Sequence, residues 1–256
     1  MLRIDGLTKS YRPGARPAVD GLNLHVLPGE IYGFLGPNGA GKTTTIKMVA
    51  GLLKPDAGRI HVGDLDVAAR PVEAKRIMSY VPDDPDLFDK LTGAEYLNFV
   101  ADVYGVSQEN RATRAGRLLE MFDLAGAVRD LIGSYSHGMR QKLALTAAMV
   151  PAPSLLVLDE PMVGLDPRSA HLFKSLMNEH CDSGGSVFFS THVLDVAERL
   201  CHRVGIIDRG KLIASGTIDD LRQLKQTAAQ GVGGDTTLEE LFLSLTDGPD
   251  GSGDQR

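Results

Sequence analysis

The stretch GPNGAGKTT, Gly36 to Thr44, carries the chain's strongest chemical pattern: Gly36, four residues, then Gly41, Lys42 and Thr43, the spacing of a phosphate loop. The loop follows the apolar run EIYGFLG and leads into KTTTIKMVAGLL, so it stands between a strand and a helix as such a loop must. Glycines leave backbone N–H groups free to surround a phosphate, and the helix N-terminus adds positive potential. On this pattern Gly36, Pro37, Asn38, Gly39, Ala40, Gly41, Lys42, Thr43 and Thr44 are expected to contact a nucleoside triphosphate. Lys42 would reach its outer phosphates, and the Thr43 hydroxyl would ligate magnesium. The plain alternative, a glycine turn beside an incidental Lys-Thr, fits the flanking strand and helix poorly.

A second acidic site should hold the metal. LLVLDEP is an apolar strand that ends in Asp159 and Glu160, where a carboxylate can approach a magnesium ion beside the phosphates. Asp159 is expected in the metal shell, commonly through water, with Glu160 orienting or deprotonating the attacking water. Polar residues ending a strand are common, and it is the pairing with the phosphate loop that favours the functional reading. The stretch SYVPDDPDLFDKLT places four aspartates and two prolines in one short connection. Alone it reads as loop punctuation with solvated carboxylates.

The elements that must position these groups alternate between strand and helix, the order of a largely parallel sheet covered by helices. GRIHVGDLDV alternates in character and belongs to an antiparallel region, whereas SLLVLDEP, GSVFFSTH and RVGIIDRGKLIASG return to strands. Between them, from Leu91 to Val150, GAEYLNFVADVYG, QENRATRAGRLLEMFDL and RQKLALTAAMV have helical spacing. The fold class expected is therefore α/β: a phosphate-loop NTPase core with an antiparallel β region and an inserted helical subdomain, at about residues 84–150. Residues 1–224 form the nucleotide-binding domain on this reading, and residues 225–256 a linker, a short amphipathic helix and a flexible tail. In that segment Thr237 and Glu240 form a capping-box pattern ahead of one apolar face, Leu238, Leu241, Phe242 and Leu245, which by default docks on its own domain.

Composition sets outer limits. The 256 residues, 43% of them hydrophobic, can build one sizeable core, and a net charge of -6 offers no electrostatic case for binding nucleic acid. Cys181 and Cys201 fall in helix-like segments without metal or redox spacing, so buried reduced thiols in a cytoplasmic chain are expected. MLRIDGLTKSY lacks the apolar core of a signal peptide, and LALTAAMVPAPSLLVL is broken by Pro151 and Pro153.

SYSHGMRQKLAL, at 134 to 145, lies just ahead of LLVLDEPMVGLDP and is followed by FFSTH. Together with the phosphate loop, these motifs resemble the ATP-binding cassette family of transporter ATPases, from about Leu2 to Gly216. The resemblance implies that Tyr11 stacks on adenine, the alternative being an exposed strand tyrosine. It implies that Ser136 and Gly138 bind the γ-phosphate of ATP held by the opposite subunit, that Asp166 belongs to a loop crossing the dimer interface, and that His192 contacts the γ-phosphate. Asp166 also suits the plain role of capping a helix that begins at Pro167.

Two departures stand out. The usual signature Leu-Ser-Gly-Gly-Gln reads Tyr135-Ser136-His137-Gly138-Met139 here, which looks like the exporter branch whose permeases are separate six-helix membrane proteins. The sensor glutamine of the acid-rich loop is replaced by Asp83. Either its carboxylate substitutes as an oxygen ligand for Mg2+, with Asp84 as the fallback and Asp86 and Asp89 as surface charges, or all four are solvated.

The resemblance implies an ATPase subunit, with Glu160, His192 and Lys42 as catalytic groups, ATP and Mg2+ bound, and a second nucleotide-binding subunit, identical or related, closing head to tail. An integral membrane permease would be the other partner, placing the chain on the cytoplasmic face of the cell membrane. Competing readings are a soluble cassette ATPase without a permease and a nucleotide-sensing scaffold with little turnover. Glu160 and His192 argue against the scaffold.

Overall fold

The computed structural model describes residues 1–228 and Phe242. Two sheets carry the fold. β1 (Leu2–Lys9), β2 (Val19–Val26), β4 (Ala57–Val62) and β5 (Leu65–Asp66) form an antiparallel sheet in the order β2-β1-β4-β5. β3 (Ile31–Leu35), β6 (Met78–Val81), β7 (Leu155–Leu158), β8 (Ser186–Thr191), β9 (Arg203–Asp208) and β10 (Lys211–Gly216) form the second, ordered β10-β9-β3-β8-β7-β6. In this sheet β9, β3, β8, β7 and β6 run parallel, and β10 pairs antiparallel with β9. The β4–β5 pairing, His61 with Asp66 and Val62 with Leu65, is the antiparallel region expected from GRIHVGDLDV.

β3, β7 and β8 are buried along their whole lengths, which explains why they read as continuous apolar runs rather than alternating ones. β3 lies between β8 and β9. Tyr32 and Phe34 on one side of it join a core shared with the antiparallel sheet, while Ile31 on the other side joins the core under the helices. That second core is continuous with α3 (Gly93–Val103), α4 (Gln108–Met121) and α5 (His137–Met149), through Leu97, Leu118, Phe122 and Leu143.

Capping chemistry sets the helix starts. Thr92 and Glu95 form a full capping box on α3, Ser107 caps α4, and Ser136 caps α5. α5 therefore begins at His137, three residues before the apolar periodicity becomes readable at Arg140. The remaining helices are α1 (Lys42–Val49), α2 (Pro71–Arg76), α6 (Pro167–Asp182), α7 (Leu194–Leu200) and α8 (Ile218–Ala228).

Cys181 is buried within α6, whereas Cys201 lies just past α7 and is only partly buried; no disulfide joins them. The expected C-terminal amphipathic helix falls outside the described residues, apart from Phe242, which packs against the cluster of Leu35, Ala197, Val204, Ile206 and Leu221. Among the described residues no helix is long and apolar enough to cross a membrane.

Candidate functional site: a nucleotide cleft and a second loop cluster

The phosphate loop occupies the turn between β3 and α1. Close approach dictates its glycines. A Cβ on Gly36 would lie 2.4 Å from the Ile207 carbonyl oxygen, and one on Gly41, whose φ is +111°, would lie 2.3 Å from that of Ala18. No side chain caps the N-terminus of α1, and its first turn carries no acidic residue. The opening N–H groups of the helix therefore favour an anion.

Lys42 is buried, and its Nζ donates to the carbonyl oxygens of Gly36 at 2.7 Å and Pro37 at 3.3 Å. It also stands 3.7 Å from Glu160 Oε1. An open cleft of about 340 Å³ is lined by Tyr11, Lys42, Thr43, Thr44, Asp83 and Glu160, among others. Tyr11 is not on a strand. It lies two residues past β1, 63% exposed, and its hydroxyl is 3.2 Å from Thr44 Oγ1.

The acidic pair sits where β7 ends. Asp159 is 2% exposed and accepts a hydrogen bond from Ser190 Oγ at 2.6 Å. Glu160 adopts a left-handed backbone, φ +46°, its N–H donates to the same Ser190 Oγ at 3.0 Å, and its Oε2 is 3.0 Å from His192 Nδ1. Asp83 faces the same carboxylates. Partial burial, reinforced by the negative charges of Asp159, Glu160 and Asp84, raises its pKa above the ordinary aspartate value, while His137 acts the other way.

Ser136, Gly138 and Asp166 lie apart from the lining of this cleft. Ser136 is exposed at the N-cap of α5, its Oγ accepting from Met139 N–H at 3.3 Å. Gly138 abuts the loop after β7 so closely that a Cβ would meet the Gly164 carbonyl oxygen at 2.8 Å. Asp166 caps α6 through Ser169 N–H at 2.9 Å and pairs with Lys142 Nζ at 2.8 Å. Lys142, followed by Ser169, holds its carboxyl far below the usual range.

Gln141 Nε2 donates to the Pro161 carbonyl at 3.2 Å, so α5 is fastened to the segment that follows Glu160. Asp89 is an exposed charge, as expected, and it also accepts from Arg140 Nη2 at 2.6 Å. Asp84 lies 3.9 Å from His137 Nδ1.

Residues 19–163 match the family model for the ABC transporter. The chain belongs to the ABC transporter family. Relatives of this ABC protein include the linearmycin resistance ATP-binding protein LnrL of Bacillus subtilis, 36% identical over 93% of this chain and 74% of the relative. The daunorubicin/doxorubicin resistance ATP-binding protein DrrA of Streptomyces peucetius is 42% identical over 86% of this chain and 66% of its own.

A solved ATP-binding subunit of an ABC transporter superimposes with a TM-score of 0.88 at 34% identity, covering 96% of this chain and 99% of that one. A dimeric ATP-binding cassette solved in a post-hydrolysis state with ADP and phosphate shares the fold, with a TM-score of 0.77 at 23% identity over 85% of this chain and 99% of its own. Within the ABC frame the chain is an ATP-binding, ATP-hydrolysing subunit of a transporter. Sequence reasoning passed over Ser190, Gln141 and Lys142. Ser190 was open to detection from its place two residues before His192 on a strand.

Proposed function

We propose that this chain powers an export permease from the cytoplasmic face of the cell membrane, through ATP-driven head-to-tail pairing of two cassettes. One observation carries the reading. Lys42, Thr43, Asp159, Glu160 and His192 converge near one cleft, while Ser136 and Gly138 sit on the separate cluster at the start of α5. Two chains placed head to tail would bring one cluster onto the other's cleft, and each ATP would then be held by both.

ATP bound in this way supplies the closed dimer with contacts that hydrolysis removes, the differential affinity a two-state switch requires. Within the site, Glu160 would draw a proton from the attacking water, and His192 would hold the Glu160 carboxylate in line and contact the γ-phosphate. Lys42 neutralises charge on the outer phosphates, and Tyr11 offers its exposed face to adenine. The unit spans residues 1–224, with the helices between about 84 and 150 transmitting closure and 225–256 as an appended segment.

Thr43, Asp159 and Asp83 would hold Mg2+. All three offer oxygen, the donor a hard cation prefers. No group of three or more His, Cys, Asp or Glu among the described residues forms a complete cage, which suits an ion that takes its remaining ligands from phosphate and water. When bound, the ion supplies charge neutralisation at the phosphates.

Asp83→Ala is expected to raise the magnesium concentration for half-maximal ATP binding several-fold. Asp83→Gln should restore it and bind metal-free ATP more tightly, because a neutral amide does not repel phosphate. Magnesium titrations of nucleotide binding check this, and unchanged curves in both variants would leave the loop a hinge with solvated charges.

The names of LnrL and DrrA, both resistance proteins, support the exporter reading. A docking surface for the permease is offered by exposed Phe88 and Phe99, stacked edge to face at 6.0 Å between ring centroids, with Phe88 also against Tyr96. Phe88 belongs to the acid-rich loop and Phe99 to α3, so a permease seated there would touch both the loop and the helical region. Exposed aromatic pairs of this kind are anchors at protein interfaces.

Purification from membranes tests the reading: an integral membrane protein should accompany the chain. The double variant Phe88→Ser, Phe99→Ser should lose it while keeping ATP binding. Retention of the membrane partner would move the docking surface elsewhere, and absence of any such partner from the unaltered chain would contradict the transporter role.

A further inference from the structure

β8 delivers two side chains to Glu160. Alternate residues of a strand share a side, and the pattern continues just past β8: Ser190 meets the Glu160 backbone while His192 meets its carboxylate. Thr191, between them, turns away, its Oγ1 accepting from Val193 N–H at 3.1 Å. Ser190 pairs in register with Phe34 of β3 and is fully buried.

Its hydroxyl has one proton to give and lone pairs to receive with, and it uses both. The proton goes to Asp159 Oδ1 at 2.6 Å, and the oxygen receives Glu160 N–H at 3.0 Å. Glu160 has φ +46°, a conformation that a residue with a side chain adopts at a cost and keeps only where its surroundings over-determine it.

We infer that Ser190 is a positioning residue for the hydrolytic step, fixing the Asp159 carboxylate and the left-handed backbone of Glu160 in a single geometry. The two acidic residues are neighbours in sequence but serve different tasks, one toward the metal and one toward water. A shared buried hydroxyl keeps their separation constant. Released from it, Glu160 can relax toward an ordinary backbone conformation, which swings its carboxylate away from His192 and from the water it must face. A displacement of about 1 Å in a reacting group costs on the order of 10²-fold in rate. The inference rests on the proposed role of Glu160 as the base.

Ser190→Thr and Ser190→Val have nearly the same volume, and only Thr keeps the hydroxyl, so they separate the hydrogen bonds from any packing defect that both share. Steady-state hydrolysis and equilibrium ATP binding are measured on each, together with Ser190→Ala. Val and Ala should lower kcat by about 10- to 100-fold, with ATP affinity within roughly threefold of the unaltered chain, whereas Thr should retain most of kcat. In a Glu160→Gln background, Ser190→Ala should add little further loss, because the group it positions is already disabled.

Equal kcat for Thr and Val would overturn the inference, as would a loss for Ala confined to ATP affinity. Glu160→Gln alone separates the two claims. Normal turnover in that variant would remove the base assignment and Ser190's role with it. Slow turnover there, beside an unaffected Ser190→Ala, would overturn Ser190's role alone.

Discussion

Replacing Glu160 by Gln should slow ATP hydrolysis by about 10²–10⁴-fold, the contribution a positioned general base makes, and leave nucleotide binding intact. Gln preserves the shape of the side chain and the backbone that donates to Ser190 at 3.0 Å. It removes the negative charge and, with it, the capacity to take a proton. The contact with His192, 3.0 Å in the structure, can survive as a neutral hydrogen bond. Binding should persist because the phosphate loop and Lys42 are unaltered, although loss of the carboxylate 3.7 Å from Lys42 frees the ammonium for phosphate and should, if anything, tighten ATP. Since closure needs ATP and reopening needs its hydrolysis, the variant should accumulate as an ATP-bound dimer. Single-turnover phosphate release and size-exclusion chromatography with ATP check both halves. Near-normal turnover would contradict the assignment of Glu160 as base.

Ser136→Arg should abolish ATP-driven dimerisation while each monomer still binds nucleotide. Ser136 is an exposed cap of α5, and losing a cap of this kind costs about 1 kcal/mol, too little to unfold a helix whose Leu143 and Leu145 are fully buried. The larger consequence is steric. An arginine replaces a small hydroxyl on the surface that, in the proposed pairing, would approach the partner's γ-phosphate, next to Gly138, where the Gly164 carbonyl already leaves no room for a Cβ. The nucleotide cleft is lined by other residues, so its affinity should be unchanged. Calorimetric ATP binding and the oligomeric state with ATP separate the effects, and a variant that dimerised normally would mean that the signature has another role.

Much of the site was legible because its chemistry is local in sequence. The phosphate loop needs its glycines, Lys42 and Thr43 at fixed spacing, and the strand ending in Asp159 and Glu160 declares itself by an apolar run that stops at two acids. The order of strands and helices was readable for the same reason, since periodicity is a short-range signal. Contacts between distant segments were not. Ser190 is 31 residues from Asp159, and the bond between them forms only when β7 and β8 pair. The tie from Arg140 to Asp89 spans 51 residues, and it fastens an exposed carboxylate of the acid-rich loop to α5. The start of α5 was set by a capping serine rather than by the apolar pattern, so periodicity placed it three residues late. His137 stands where the family has glycine, and its ring packs so near Gly164 that a Cβ there would lie 2.6 Å from it; the replacement is built into the loop cluster.

Mixing two inactive variants tests the composite site most directly. Lys42→Ala disables the cleft of its own chain, and Ser136→Arg disables the cluster that would serve the partner. In a mixed dimer built head to tail, the intact cleft of the Ser136→Arg chain meets the intact cluster of the Lys42→Ala chain, and the other site carries both defects. Phosphate release from the mixture should therefore exceed the sum of the two variants measured separately, and should rise and fall with the fraction of mixed dimers as the ratio of the chains is varied. If each chain instead completed its own site, every site would carry a defect, and a mixture no more active than its components would contradict head-to-tail sharing of ATP.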